Sequence, residues 1–393
     1  MKVLMKGNEA LAEAAIRAGC HHFFGYPITP QTELAAYMSK RMPKIGGTYL
    51  QAESEIAAVN MVLGCSAAGL RAMTSSSSPG ISLKGEGISY MAGSDLPALI
   101  INVQRGGPGL GGIQPSQSDY WQATKALGHG DFQILVFAPS TVQEMVDLVS
   151  DAFDTADKYR MPAMILADGM LGQMMEPVEL PEEGAKAPVE KPWAACGHQG
   201  KRPHNIVNSL YLTPEKLESL VKERYQRYET VKQNEQRAEE YLTEDADVIV
   251  VAYGASSRVS RSAVNKAREK GLKVGLVRPI TLWPFPVDAL KRAASHCKQM
   301  LVVEMSMGQM VDDVKLAIDC KVPVHFYGRT GGMIPTPQRS WPSWNSSVTE
   351  NIQKGWIQYG HRFSKTVYPD RRAYALLSRL HPRHRPPAGG PGH

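Results

Sequence analysis

"LRAMTSSSSPGISLKGEGISYMAGSDLPALIINVQ", Leu70–Gln104, reads as strand, helix, strand. An extended run enters four serines and a proline. A glycine-punctuated helical stretch follows, and "LPALIINVQ" closes the unit as an unbroken apolar strand. Strands that are apolar along their whole length, instead of alternating, belong to parallel sheets covered on both faces. The same rhythm extends outward in both directions. Upstream, "NEALAEAAIRAG" has helical spacing and stops at Gly19, "HHFFGYP" is a short strand, "TELAAYMSKRM" a helix and "GTYLQA" extended. "SEIAAVNMVLGCSAAG" is a long apolar helix that Ser54 is placed to cap. Downstream, the apolar runs "FQILVFAPS" and "PAMILAD" flank the helix "TVQEMVDLVSDAFDTADKY". The fold class is therefore α/β.

From Pro177 to roughly Leu212 the rhythm gives way to polar, proline-bearing sequence, which suits a surface excursion or linker. A charged helix from Thr213 follows, with Leu217, Val221, Tyr225 and Tyr228 expected on its buried face. A second alternation then begins at "ADVIVVAYGAS" and ends at "VPVHFYGR". The expected organisation is 1–176, an α/β domain; 177–245, a linker and connecting helix; 246–332, a smaller α/β domain; and 333–393, a C-terminal extension. The extension should hold a short helix near "VTENIQKG" and end in the disordered stretch "RPPAGGPGH".

With 393 residues and a net charge of +6, the chain suits two cores and carries no central basic stripe. Nucleic acid is not an expected partner. The N-terminus reads as an amphipathic start, not a signal peptide, and no apolar run reaches the ~20 residues that span a bilayer. The expectation is a cytoplasmic protein without membrane contact. The five cysteines, Cys20, Cys65, Cys196, Cys297 and Cys320, are too scattered for a zinc or iron–sulfur motif. No metal ligands are expected on this chain.

Ligands of open parallel sheets sit at the carboxyl ends of strands. Four motifs fall there: "YPITP", "AESE", "TSSSSPG" and "QRGGPGLGG". Thr29 stands between Pro27 and Pro30, which restrict the backbone on both sides. It can serve as a helix N-cap with Pro30 at the first helical position, present its hydroxyl to a cleft, or do both. Glu53 and Glu55 flank the capping Ser54. A carboxylate there complements the helix dipole, and one walled by apolar side chains could also trade a proton with a heterocycle nitrogen. Spacing alone does not choose between the two. Arg105 suits either a substrate carboxylate or a neighbouring acid. No Gly-Lys-Ser/Thr follows the glycines, no G-x-G-x-x-G sits at a strand–helix junction, and Ser75–Ser78 lack a nucleophile elbow. His129 and Asp131 read as a structural loop pair.

Taken in order, "GYPITP", "QAESEIAAVNMV", "MTSSSSPGISL", "QRGGPGLGG" with "PSQSDYWQATK", and "AYGASSRVSR" with "VRPITLWPFP" resemble the α subunit of 2-oxoacid:ferredoxin oxidoreductases. The likeness runs from about Met5 to Gly332 and is nearest to the branched-chain (3-methyl-2-oxobutanoate, or 2-ketoisovalerate) form. It implies a pyrimidine-binding domain of the thiamine diphosphate fold, followed by a domain like the transketolase C-terminal one. It further implies that thiamine diphosphate is shared with a β subunit that supplies the Mg²⁺ site and a [4Fe-4S] cluster. A γ subunit, a ferredoxin-like δ subunit carrying further clusters, and ferredoxin would complete the system, with coenzyme A as cosubstrate.

By the same resemblance Glu55, not Glu53, would share a proton with the pyrimidine N1′ of the cofactor. Tyr26 and Pro27 would lie against the cofactor, Thr29 would touch the substrate, and Arg105 would meet its carboxylate. The reaction implied is oxidative decarboxylation of a 2-oxoacid to an acyl-CoA, with ferredoxin as electron acceptor. Pyruvate and 2-oxoglutarate forms share these motifs, and two further alternatives are a non-catalytic assembly subunit and a nucleotide-dependent oxidoreductase. One departure is "SLKGEG", where the family pattern leads one to expect a Met-Gln pair in place of Lys84 and Gly85; it bears on local packing or a partner contact.

Overall fold

A computed structural model describes residues 2–125, 127–182 and 189–336, and fourteen strands organise these described residues. In chain order they are β1 Lys2–Lys6, β2 His22–Gly25, β3 Thr48–Gln51, β4 Ala72–Ser76, β5 Leu99–Gln104, β6 Leu135–Phe137 and β7 Ala163–Asp168. There follow β8 Met175–Glu179, β9 Ala238–Tyr241, β10 Val248–Val251, β11 Val274–Pro279, β12 Thr281–Trp283, β13 Gln299–Glu304 and β14 Val324–Gly328. The main sheet has the order β12-β6-β7-β5-β4-β2-β3 and is parallel except for β12. Every residue of β5 and β7 is buried, as continuous apolar strands require, and so is every residue of β4, including the polar Thr74, Ser75 and Ser76. The second sheet, β14-β13-β10-β11-β9, is parallel except for β9.

Helices stand where the periodicity puts them. Gly7–Arg17 packs on Val142–Tyr159, and Glu55–Ala67 packs on Ser78–Gly93. Ser54 caps its helix as expected, its hydroxyl accepting from the Ala57 amide at 3.2 Å. Thr141 does the same for Glu144 at 3.0 Å.

Four readings of the sequence need correction. The N-terminal residues are not simply a helical start: Lys2–Lys6 forms an antiparallel ribbon with Met175–Glu179, so the segment just after Pro177 is a strand and not yet a linker. The connecting helix, Pro214–Asn234, buries Arg224, Tyr228 and Val231, whereas Leu217 and Tyr225 stay exposed. Its inner face is chosen by Trp283, against which Tyr228 stacks edge-on, and by Asp95, which takes Arg224 and Arg227. Residues 238–241 add the strand β9 beyond that helix. Finally, Thr281–Trp283 leaves the second alternation to pair with β6, so a strand from the later segment closes one edge of the main sheet. The short helix expected near "VTENIQKG" and the disordered stretch "RPPAGGPGH" lie outside the described residues.

Gln117 is a buried amide among the several side chains that join the two sheets. Gln117, fully buried, donates to the Tyr253 carbonyl at 2.9 Å and accepts from the Ser256 hydroxyl at 2.6 Å and the Met305 amide at 3.0 Å. Its own backbone amide donates to Met305 O at 2.9 Å. Replacing Gln117 with Ala strands several buried polar groups at once, each costing roughly 1–3 kcal/mol. Thermal melting of the Gln117→Ala chain should fall by several degrees, and an unchanged melt would show that this contact does not tie the sheets together.

Candidate active site

The carboxyl ends of β2, β4 and β5 converge, and each delivers one of the motifs singled out above. The segment leaving β2 is held by hydrogen bonds as well as by its prolines. Asn8 Nδ2 donates to Pro30 O at 2.7 Å, Gln31 Nε2 to Tyr26 O at 3.3 Å, and Ser75 Oγ to Gln31 Oε1 at 2.7 Å. Thr29 is exposed at the tip, and the Thr29–Pro30 peptide is cis. The next helix, Thr32–Arg41, starts after Gln31, so Thr29 is not its N-cap and its hydroxyl is not spent on that role. Tyr26 is half-buried and Pro27 exposed in the same segment.

Arg105 follows β5 and reaches back to this segment. Its Nη1 donates to Thr29 O at 3.0 Å and its Nη2 to Leu110 O at 3.2 Å, while Nε is buried without a partner. The guanidinium is thus held by carbonyl dipoles, which leave its charge uncompensated and available to an anion. An open cleft of about 540 Å³ lies beside Thr29, bounded by Pro30, Ile113, Gln114, Met170 and Ile334.

Of the two glutamates, Glu53 is exposed and Glu55 is 7% exposed. Glu55 opens its helix and faces the turn that ends β4. A Cβ built on Gly80 would stand 2.1 Å from Ser76 Oγ and 2.6 Å from Glu55 Oε1, so only glycine leaves room there. The Ser76 and Ser77 hydroxyls are buried without partners, although Ser77 occupies the N-cap position of helix Ser78–Gly93. Ser78 Oγ donates to Asp119 Oδ2 at 2.6 Å and accepts from the Arg105 amide at 3.1 Å. The turn therefore touches Glu55 at one end and Arg105 at the other.

Two buried acids escaped the sequence reading. Asp119 accepts from Ser78 and from Asn102 Nδ2 at 2.9 Å; burial pushes its carboxyl upward, and those two donors oppose the shift. Asp168 ends β7, accepting from the Met170 and Leu171 amides at 2.9 and 3.1 Å, and burial raises its pKa to about 6. The signal for Asp119 was the polar cluster "PSQSD" beside a glycine loop. His129 is exposed, and its carbonyl accepts from Ser89.

Residues 13–249 match the family model described as pyruvate flavodoxin/ferredoxin oxidoreductase, thiamine diphosphate-binding, and residues 246–339 match pyruvate:ferredoxin oxidoreductase core domain II. The chain belongs to the 2-oxoacid:ferredoxin oxidoreductase family. Within that family it is 49% identical to ketoisovalerate oxidoreductase subunit VorB of Methanothermobacter thermautotrophicus, over 84% of this chain and 93% of the relative. To 2-oxoglutarate synthase subunit KorA of Methanocaldococcus jannaschii it is 37% identical, over 86% and 98%. A solved 2-oxoglutarate:ferredoxin oxidoreductase of Magnetococcus marinus, with 2-oxoglutarate, coenzyme A and succinyl-CoA bound, superposes with a TM-score of 0.77 at 29% identity. That match covers 86% of this chain and 64% of the other. A split-gene transketolase shares the fold, at TM-score 0.51 and 14% identity over 84% of this chain and 91% of that one.

The chain therefore carries the thiamine diphosphate-binding domain of an oxidoreductase. Its residues fit such a cofactor: a buried carboxyl, two unpartnered hydroxyls and a glycine-cleared space meet at one strand end. Among the described residues no group of three His, Cys, Asp or Glu side chains is gathered closely enough to hold a metal ion, and no helix is long and apolar enough to cross a membrane.

Gly80→Ala should push the Glu55 carboxyl aside and weaken thiamine diphosphate binding by the assembled enzyme roughly tenfold, about 1.4 kcal/mol; unchanged affinity in calorimetry would count against the cradle. Asp168 makes a second expectation. Its folded pKa, about 6, lies above the ordinary 3.8. Between those values the folded chain binds more protons than the unfolded one, so this group destabilises as pH rises through the window, by about 2–3 kcal/mol in all. Denaturation of Asp168→Asn at about pH 4.5, inside that window, and about pH 7, above it, should lack this slope; a variant with the parental slope refutes the assignment.

Proposed function

We propose that this chain is the α subunit of an enzyme that oxidatively decarboxylates a branched-chain 2-oxoacid to its acyl-CoA. Thiamine diphosphate would lie between this chain and a β subunit, which holds Mg²⁺ and a [4Fe-4S] cluster. A γ subunit and a ferredoxin-like δ subunit would complete the assembly, and ferredoxin would take the electrons. The cofactor supplies a nucleophilic carbon able to cleave the bond between the oxo carbon and its carboxylate.

The residues of this chain then have separable tasks. Glu55, buried at a helix start and faced by Ser76, would hold the aminopyrimidine N1′ and exchange a proton with it. Its burial beside Gly80 is the observation that carries this reading. Ser76 and Ser77 offer unpartnered hydroxyls to the same ring. Tyr26 and Pro27 line the approach. Arg105, with no acid paired to it among the described residues and fixed by the Thr29 carbonyl, would take the substrate carboxylate, placing it beside the Thr29 hydroxyl. Thr29 Oγ1 has only a long 3.4 Å contact with Thr32 Oγ1, which a substrate oxygen can displace. Preference for a branched acyl group rests on the higher identity to the ketoisovalerate subunit, 49% against 37% for the 2-oxoglutarate one.

In the assembled enzyme Glu55→Gln should lower kcat by roughly 10²–10⁴-fold, the usual share of a general acid–base group. Arg105→Lys should raise KM for the 2-oxoacid while sparing cofactor affinity, because a point charge replaces a planar fork. Comparing 3-methyl-2-oxobutanoate, pyruvate and 2-oxoglutarate as substrates tests the branched-chain preference. Parental turnover by Glu55→Gln would instead favour an assembly role for this chain.

A further inference from the structure

Helix Ser78–Gly93 meets helix Glu55–Ala67 along a stripe of Gly80, Lys84 and Gly87. Each glycine is required by close approach: a Cβ on Gly87 would fall 2.5 Å from Val59 Cγ1, as one on Gly80 would crowd Glu55. Between them stands a lysine, fully buried. Packing alone would be served by an apolar residue of that length, and burying an ammonium is costly. Lys84 Nζ donates to the main-chain carbonyl of Glu55 at 3.3 Å and to Thr74 Oγ1 at 3.1 Å. The helix ladder already gives a first-turn carbonyl its N–H partner, so this second donor is not needed to satisfy it.

We infer that Lys84 is a positioning residue: its ammonium pins the Glu55 turn to β4 and thereby fixes where the Glu55 carboxyl stands. The inference rests on the reading of Glu55 given above and names what holds that side chain in place. A carboxyl that lends and recovers a proton must keep its distance from the acceptor to within a few tenths of an ångström. Glu55 sits at the first residue of its helix, where the backbone has the fewest hydrogen bonds to hold it. A tie from the sheet to that residue supplies the missing restraint.

The charged surroundings are sparse. Besides Glu55, helix Glu55–Ala67 carries only the thiol of Cys65 near its far end, whose pKa burial raises to about 11, and β4 has no ionisable residue. On its own helix Glu86 points outward to the Tyr90 hydroxyl at 2.7 Å, and in the loop packed near Gly85, His129 and Asp131 are exposed. Burial lowers the Lys84 pKa to about 8, and attraction to Glu55 opposes that shift. Above that pH the amine is neutral and the tie weakens.

The test compares Lys84→Met, Lys84→Gln and Glu55→Gln in the assembled enzyme. Lys84→Met should melt no lower than the parent, while kcat falls at least about tenfold and KM moves less than about threefold. Thiamine diphosphate, titrated directly, should bind severalfold more weakly to Lys84→Met. The parent's kcat should decline as pH rises through about 8, and that limb should be missing from both Lys84 variants. Adding Lys84→Met to Glu55→Gln should cost nothing further, because both act through one carboxyl. Parental kcat in Lys84→Met, a loss matched by lower melting in both Lys84 variants, or full additivity with Glu55→Gln would each overturn the inference. If Glu55→Gln itself keeps parental turnover, the reading of Glu55 fails first; if it loses turnover and Lys84→Met does not, Lys84 alone is excluded.

Discussion

The hydroxyl of Ser78 connects the two halves of the proposed chemistry. It gives its proton to Asp119 and receives the backbone amide of Arg105, so the end of β4 and the end of β5 are locked in one geometry. Asn102 ties Asp119 from the same strand, and its Oδ1 accepts the Ser78 amide at 3.3 Å. Once that knot is tied, the turn before it must present Ser76 and Ser77 beside Glu55, and the loop after it must carry the Arg105 guanidinium to Thr29. A buried network of this kind is specific because each member, if unpaired, would carry a desolvation cost.

The architecture explains why such a knot can exist. Parallel strands bring several loops to one edge of the sheet, and their interiors, buried on both faces, leave no freedom for register slips. The later part of the chain reinforces this edge. Gln117, two residues before Asp119, holds Tyr253, Ser256 and Met305, so the second sheet steadies the segment that carries Asp119. Glu304 does similar work at the end of β13. It accepts the amides of Met310 and Val311, each at 3.0 Å, and burial pushes its carboxyl upward despite them.

Local chemistry made much of this legible in advance. The Ser54 cap, the apolar β5 and β7, and the gathering of four motifs at strand ends are written in short windows, and the structure places each as the sequence suggests. What the sequence hid depends on distant partners. Lys2–Lys6 becomes a strand because Met175–Glu179 lies beside it. Thr281–Trp283 is three residues amid prolines, too short to signal an edge strand of another sheet. The connecting helix buries Tyr228 as expected, against Trp283, but the pull of Asp95 on Arg224 rotates Leu217 and Tyr225 outward. Thr29 resembled a cap by its prolines, yet the helix waits until Thr32. Lys84 stood out only as an unexpected residue, since nothing local says that a lysine will be buried.

On the proposed function, Glu55 brings a buried carboxyl to a cofactor shared with another polypeptide. The most direct measurement is an experimental structure of the assembled enzyme with thiamine diphosphate bound. A Glu55 carboxyl oxygen should then stand within about 2.6–3.2 Å of the pyrimidine N1′, the reach of a hydrogen bond. A Glu55 side chain directed away from the ring, with another acid in its place, would contradict it.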